Sequence, residues 1–252
     1  MYQGKQRIQD PQRWLNEVLG PGFERRETFH IEDYPRLQMK DFPGRAQHCS
    51  ITGLTSVFMY YSNQGYDYLP KNEQTMFQRI MRLARWRGIN LGQIGFFKGG
   101  TIPFFIGHLA RVTWRFYGYL DGKAELHSFL QSGRRGEPEI LMELDEGRPL
   151  LLSLSSGYYK RHTVTVWGYE VWERQKQNIP ENNSNDAGES STENRARVGD
   201  FVINATGIER RVMLVINDHW SPEKRYIDLY SLDPAYGGPF FQFCRITPPE
   251  QL

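Results

Sequence analysis

Near Pro149 the chain changes its periodicity, and that change constrains the possible folds more than any other feature. After it come segments 150–154, 162–172, 201–204, 212–216, 225–230 and 240–246, each rich in β-branched or aromatic residues and bounded by turn formers. No helical pattern intervenes, which predicts a mostly antiparallel sheet or partial barrel and excludes a parallel βαβ succession. Before Pro149 the spacing is mainly helical. Residues 11–19 carry Trp14, Leu15 and Val18 on one side and stop at Gly20-Pro21-Gly22. From Cys49, Leu54, Val57, Phe58 and Tyr61 fall at i, i+3, i+4 and i+7, with Asn63-Gln64-Gly65 as the stop. Asn72 caps a helix to about residue 87 that turns Met76, Phe77, Ile80, Leu83 and Ala84 inward. Further helices are expected over 102–111 and from Pro138 to Gly147, with an aromatic strand over 114–120 and an extended stretch over 29–39.

The expected organisation is α+β: an N-terminal arm over 1–35, a helical lobe over 36–148 and a β lobe over 149–252. A polar run over 174–197 interrupts the β lobe as a surface loop. Chemistry is expected in the cleft between the lobes.

A chain of 252 residues with 39% hydrophobic and 14% aromatic residues can bury a large core and is not of the disordered class. Its net charge of +2 gives no sign of a nucleic-acid or membrane partner. Arg79, Arg82, Arg85 and Arg87 form a row on one helix that could grip phosphate or an acidic substrate, although a solvated face is the commoner use of such a row. Two cysteines, Cys49 and Cys244, are too few for a disulfide framework and match a reducing compartment. The start is polar without a signal-like core, so a cytoplasmic location is expected. His48-Cys49 does not supply tetrahedral ligand spacing, and no CxxC or HxxxH accompanies it, so no metal is expected.

Three positions carry candidate chemistry. Cys49 stands where a loop becomes a helix, beside unpaired N–H groups and the positive end of the helix dipole, which favour thiolate. His162 opens a strand and projects to the side of Val164 and Val166, a base on a rigid support. Asp218 ends another strand, where a carboxylate could accept a hydrogen bond from the imidazole and fix its tautomer. Cys244, in an aromatic segment, is expected in the core; His219 is open between a partner for Asp218 and an exposed residue.

His162-Thr163-Val164-Thr165-Val166-Trp167-Gly168-Tyr169 resembles the histidine strand of papain-like cysteine peptidases, and Asn217-Asp218-His219-Trp220 resembles the segment in which Asn or Asp, one residue and Trp complete their triad. Around Cys49, the Gln, the Pro-containing loop and the Thr/Ser-rich helix ending in Tyr60-Tyr61 are similar to the bacterial branch of bacteriocin-processing, double-glycine-leader peptidases. Gly100-Thr101 and Glu146-Gly147-Arg148-Pro149 resemble that branch too, so the likeness runs in patches over about residues 36–230. It implies a two-lobed papain-like fold and amide cleavage through a thioester on a peptide or protein substrate, without metal or organic cofactor. Cys49 would be the nucleophile, His162 the general base and acid, Asp218 the orienting group, and Trp220 the shield of the Asp218–His162 bond. For the oxyanion-hole glutamine the likeness favours Gln38, with Gln47 the alternative; the Cys49 N–H would be the second donor. Cys49 and His162 are 113 residues apart, fewer than the roughly 130–150 of papain-type enzymes, which again points to a compact branch. An amidase or acyltransferase on the same fold, or a catalytically silent binding module, are the alternatives.

Overall fold

The structure is a computed structural model describing residues 10–43, 47–91, 99–129, 133–155, 159–175, 202–203, 208–232 and 241–250. It is α+β. The helices are α1 (Pro11–Leu19), α2 (Cys49–Asn63), α3 (Glu73–Trp86), α4 (Ile106–Phe116) and α5 (Gly133–Asp145). The strands are β1 (Glu24–His30), β2 (Asn90–Leu91), β3 (Gly100–Thr101), β4 (Lys123–Phe129), β5 (Leu150–Leu154), β6 (His162–Gln175), β7 (Val202–Ile203), β8 (Ile208–Asn217), β9 (Arg225–Asp228) and β10 (Phe241–Thr247). Strands β2 and β3 form a small ribbon, and the other eight make one sheet in the order β4-β10-β5-β6-β8-β7. The remaining two continue it: β5 pairs with the first part of β6 and β1 with the rest, while β9 joins β8. All these pairings are antiparallel.

The helix beginning at Cys49 forms as its spacing predicts, but it is buried from Ser50 to Ser62 and not on one face alone. Its small residues make this possible. A Cβ placed on Gly53 would lie 2.7 Å from Leu151 Cδ2 and 3.1 Å from His219 Nε2, so the helix axis lies close to the sheet at that point. The polar groups it takes inside are paired: Thr55 and Ser56 donate to Ile51 O and Thr52 O one turn back, and the hydroxyls of Tyr60 and Tyr61 donate to Gly147 O and Ile246 O. One continuous apolar core joins α2, α3 and α4 to β5, β6 and β8. On the opposite face of the sheet, Leu15 and Leu19 of α1 pack on Met213, Val215 and Tyr226. Asp10 caps α1 by accepting from Arg13 N, and Gly20, at φ 72°, ends it.

Three sequence expectations are corrected. The stretch 114–120 is not a strand: α4 runs through Trp114 because Ile106, Leu109, Ala110, Thr113 and Trp114 recur at helical spacing on its buried side. The helix placed at 102–111 therefore starts later and ends later, after a 3-10 turn over Pro103–Phe105. The extended stretch begins before residue 29, since β1 covers Glu24–His30. Two sheet strands, β1 and β4, come from the part of the chain with mainly helical spacing. Arg174 and Gln175 close β6; the rest of the polar run over 174–197 lies outside the described residues. No helix among the described residues is long and apolar enough to cross a membrane.

Candidate active site

Cys49 is the first residue of α2, and the first intrahelical bond is Thr52 N to His48 O. The amide groups of the opening turn thus have no partner within the helix and surround the thiol with positive potential. His48 is buried; its Nδ1 is 3.0 Å from Thr52 Oγ1 and its ring meets Phe77 of α3 edge-on. The helix start is therefore fixed on two sides. Next to Cys49, Ser50 Oγ is 2.8 Å from Thr163 Oγ1, which in turn is 3.1 Å from Ser153 Oγ. This hydroxyl chain joins α2 to β6 and β5 at the position adjoining both Cys49 and His162.

His162 opens β6 opposite Leu154 of β5 and is buried. Arg161 before it adopts φ 58°, a left-handed conformation costing a non-glycine residue about 1 kcal/mol and of the kind that accumulates at functional sites. The imidazole Nε2 lies 2.8 Å from Asp218 O. A carbonyl can only accept, so Nε2 carries the hydrogen and Nδ1 is left to face the thiol, with which His162 is hydrogen-bonded. Trp220 stacks on the imidazole with ring centroids 4.1 Å apart, and Tyr159 completes an aromatic wall.

The electrostatics of the two groups are reciprocal. Burial pushes the Cys49 thiol up, but the charge and hydrogen bond of His162, the backbone of Thr163 and the Ser50 hydroxyl outweigh it and hold the thiol down at about 7. Burial disfavours the His162 imidazolium, yet Cys49 and the Asp218 carbonyl raise its pKa above the ordinary value. Both shifts favour a thiolate–imidazolium pair. Cys244 shows the contrast: buried in β10 without such a partner, its thiol is pushed up to about 12.

Asp218 reaches the site through its main chain. Its carboxylate, expected on the imidazole, faces elsewhere: Oδ1 accepts from Trp220 N and Ser221 N, and Oδ2 lies 3.8 Å from Arg225 Nε. The carboxylate thus shapes the turn that presents the carbonyl. His219, left open by the sequence between a partner for Asp218 and an exposed residue, is fully buried at φ 61°, and its ring bonds to other residues than Asp218. Its Nδ1 donates to Leu37 O and its Nε2 accepts from Thr165 Oγ1, so the ring is held neutral, with burial first among the causes that lower its pKa to about 3. Asn217 Nδ2 also donates to Leu37 O, and Met39 N donates to His219 O.

These bonds fasten the residues on either side of Gln38 to the corner that holds His162. Gln38 is half-buried, with Oε1 enclosed and unpaired. Gln47 sits two residues before Cys49, its carbonyl against Gly100 of β3. The structure therefore brings together Cys49, His162, the Asp218 main chain and Trp220. Ser50, Thr163, Tyr159 and Asn217 were missed as supporting residues; the first two are neighbours in sequence of the nucleophile and base, the only signal that marks them.

No family model matches the chain, and no curated protein does. Among solved structures, the crystal structure of UfSP from C. elegans is similar at 10% identity and a TM-score of 0.49; the likeness covers 98% of this chain, which spans 38% of that one. The functional reading rests on the geometry of Cys49 and His162.

Proposed function

We propose that the protein is a papain-like cysteine peptidase that hydrolyses peptide bonds through a thioester. The observation that carries the proposal is the helix-start thiol, held at about 7 and hydrogen-bonded to an imidazole whose far nitrogen is fixed by a main-chain carbonyl. In the proposed cycle the Cys49 thiolate adds to the substrate carbonyl carbon. The oxyanion receives hydrogen bonds from Cys49 N–H and the Gln38 side-chain amide. His162 gives its Nδ1 proton to the leaving amine as the C–N bond breaks, leaving an acyl-thioester and neutral imidazole. Water then loses a proton to Nδ1 while attacking the thioester, releasing the acid and restoring the ion pair. Gln38 is preferred over Gln47 because its flanking residues are tied to the Asn217–His219 corner. The motif likeness supports a relation to double-glycine-leader peptidases acting on peptide substrates.

A fluorogenic peptide library, with and without an added amine acceptor, tests this reading. Hydrolysis is expected, with Cys49→Ala and His162→Ala each lowering kcat by about a thousandfold or more. Amide exchange without hydrolysis would make the protein an acyltransferase, and no turnover of either kind would refute the enzymatic reading.

A further inference from the structure

We propose that the outer face of α3 and α4 is a docking surface for an acidic, extended segment of a polypeptide substrate. The substrate role rests on the peptidase reading above; the binding itself is testable without it. Between residues 74 and 120 the sequence has six arginines, one lysine and no Asp or Glu, leaving 24 basic against 29 acidic residues elsewhere. The near-neutral total conceals a strongly basic region. A merely solvated helix face ordinarily mixes signs, with acids three or four residues from the bases. Here all six arginines are exposed: Arg79, Arg82, Arg85 and Arg87 on or just after α3, Arg111 and Arg115 on α4. The nearest ion pairs in sequence among the described residues are Lys71–Asp67 before the region and those on Glu125 after it.

The cations converge from both helices. His108 of α4 has its pKa lowered by burial and then by Arg111, Arg87 and Arg115, so these guanidinium groups lie close enough to repel a common charge. An acidic ligand would relieve that repulsion. Exposed aromatic rings hold the guanidinium groups in place: Arg79 lies over Phe116 at 5.9 Å from the ring centre and Arg87 over Trp86 at 4.9 Å. Because arginines occupy these ring faces, they are poor platforms for nucleic-acid bases, which favours a polypeptide carboxylate as the ligand. The same region is tied to the start of α2 from its inner side: Phe77, on the buried face of α3, touches the His48 ring, and Gly100, shortly before α4, lies against the main chain of Gln47.

The test uses the full chain carrying Cys49→Ala, which removes turnover, and fluorescence anisotropy with three probes of equal length: a Glu/Asp-rich peptide, its Gln/Asn counterpart and an oligothymidylate. The acidic peptide should bind tightest, and rising salt should weaken it. The combined variant Arg82→Glu/Arg85→Glu/Arg115→Glu should lose at least about tenfold in affinity. Alkylation of Cys49 by iodoacetamide, measured with the same three substitutions in the Cys49-containing chain, should be unchanged. Equal binding of acidic and neutral peptides, or full affinity in the triple variant, would overturn the proposal; so would tighter binding of the oligothymidylate, which would mark a nucleic-acid surface. Should circular dichroism show the triple variant unfolded, Arg85→Glu with a salt titration decides by the same criterion. Acidic-peptide binding with an inert Cys49 in the wild type would instead refute the peptidase reading and leave the surface standing.

Discussion

A peptide carbonyl can hold an imidazole in one orientation without bringing a negative charge to it, and this distinction sets the behaviour expected of Asp218. Removing a carboxylate that fixes a catalytic tautomer loses about 10⁴ in rate. Here Asp218→Asn keeps the carbonyl that accepts from His162 Nε2, so kcat should fall by less than about tenfold, against that 10⁴ benchmark. Stability should suffer as well, by about 1–3 kcal/mol, because buried Arg225 loses one of its two charged partners and keeps only Glu223, 3.6 Å away. Urea unfolding and kcat measured on the same preparation separate the two; a thousandfold loss in kcat with stability intact would contradict the main-chain role. His219 supplies a second prediction. Its pKa is about 3 in the folded chain against an ordinary 6.5, so between those values the unfolded chain binds a proton that the folded chain refuses. The stabilisation is complete above pH 6.5 and drains away as the pH falls toward 3. The thermal midpoint should therefore drop between pH 7 and 4, and drop less steeply in His219→Gln; parallel curves would sink the assignment. Cys49 and His162 were legible from sequence because the chemistry lies in their side chains at the ends of patterned elements. The Asp218 carbonyl was not, since every residue carries one, and the His219–Leu37 bond joins positions 182 residues apart.

At the level of elements, the fit of α2 on the sheet decides how the thiol meets the imidazole. Gly53→Ala improves helix propensity by about 1 kcal/mol. The added methyl, however, would crowd Leu151, His219 and Thr165, three residues on the sheet side. Overpacking of this kind costs about 1–3 kcal/mol, so the variant should be less stable in urea and its Cys49 thiol should titrate higher as α2 moves outward. A more stable variant with an unchanged thiol would show that the approach is not tight. Where sequence spacing is strong the elements were readable: α3 buries each of Met76, Phe77, Ile80, Leu83 and Ala84, and Asn72 caps it through Thr75 N. Where an element's pattern is set by its neighbours, it was not. Strand β1 is Glu24-Arg25-Arg26-Glu27-Thr28-Phe29-His30, mostly exposed and without alternation, and it forms because β6 offers an edge beside Gly168, where a Cβ would lie 2.4 Å from Phe29 O. Trp114 looked like a strand residue from its aromatic neighbours, but packing with Phe58, Tyr61 and Tyr66 keeps it helical.

Across the whole molecule, the nucleophile exists only because distant parts of the chain share one core. Cys49 and His162 are 113 residues apart, and neither has a reason to be perturbed until α2 lies on β5 and β6. The change of periodicity at Pro149 made the α+β class legible; the strand order was not, because β10 inserts between β4 and β5 and such a placement is settled by long-range packing. The two cysteines make the dependence on folding measurable. The most direct experiment is the pH profile of thiol alkylation, resolved by mass spectrometry for Cys49 and Cys244, in the native wild type, in native His162→Ala and in denaturant. Cys49 should titrate near 7 in the native wild type, at or above the ordinary thiol value of about 8.5 in His162→Ala, and near that ordinary value in denaturant, while Cys244 stays unreactive until the chain unfolds. A native Cys49 that titrates like a free thiol, with or without His162, would contradict the ion pair and with it the peptidase assignment.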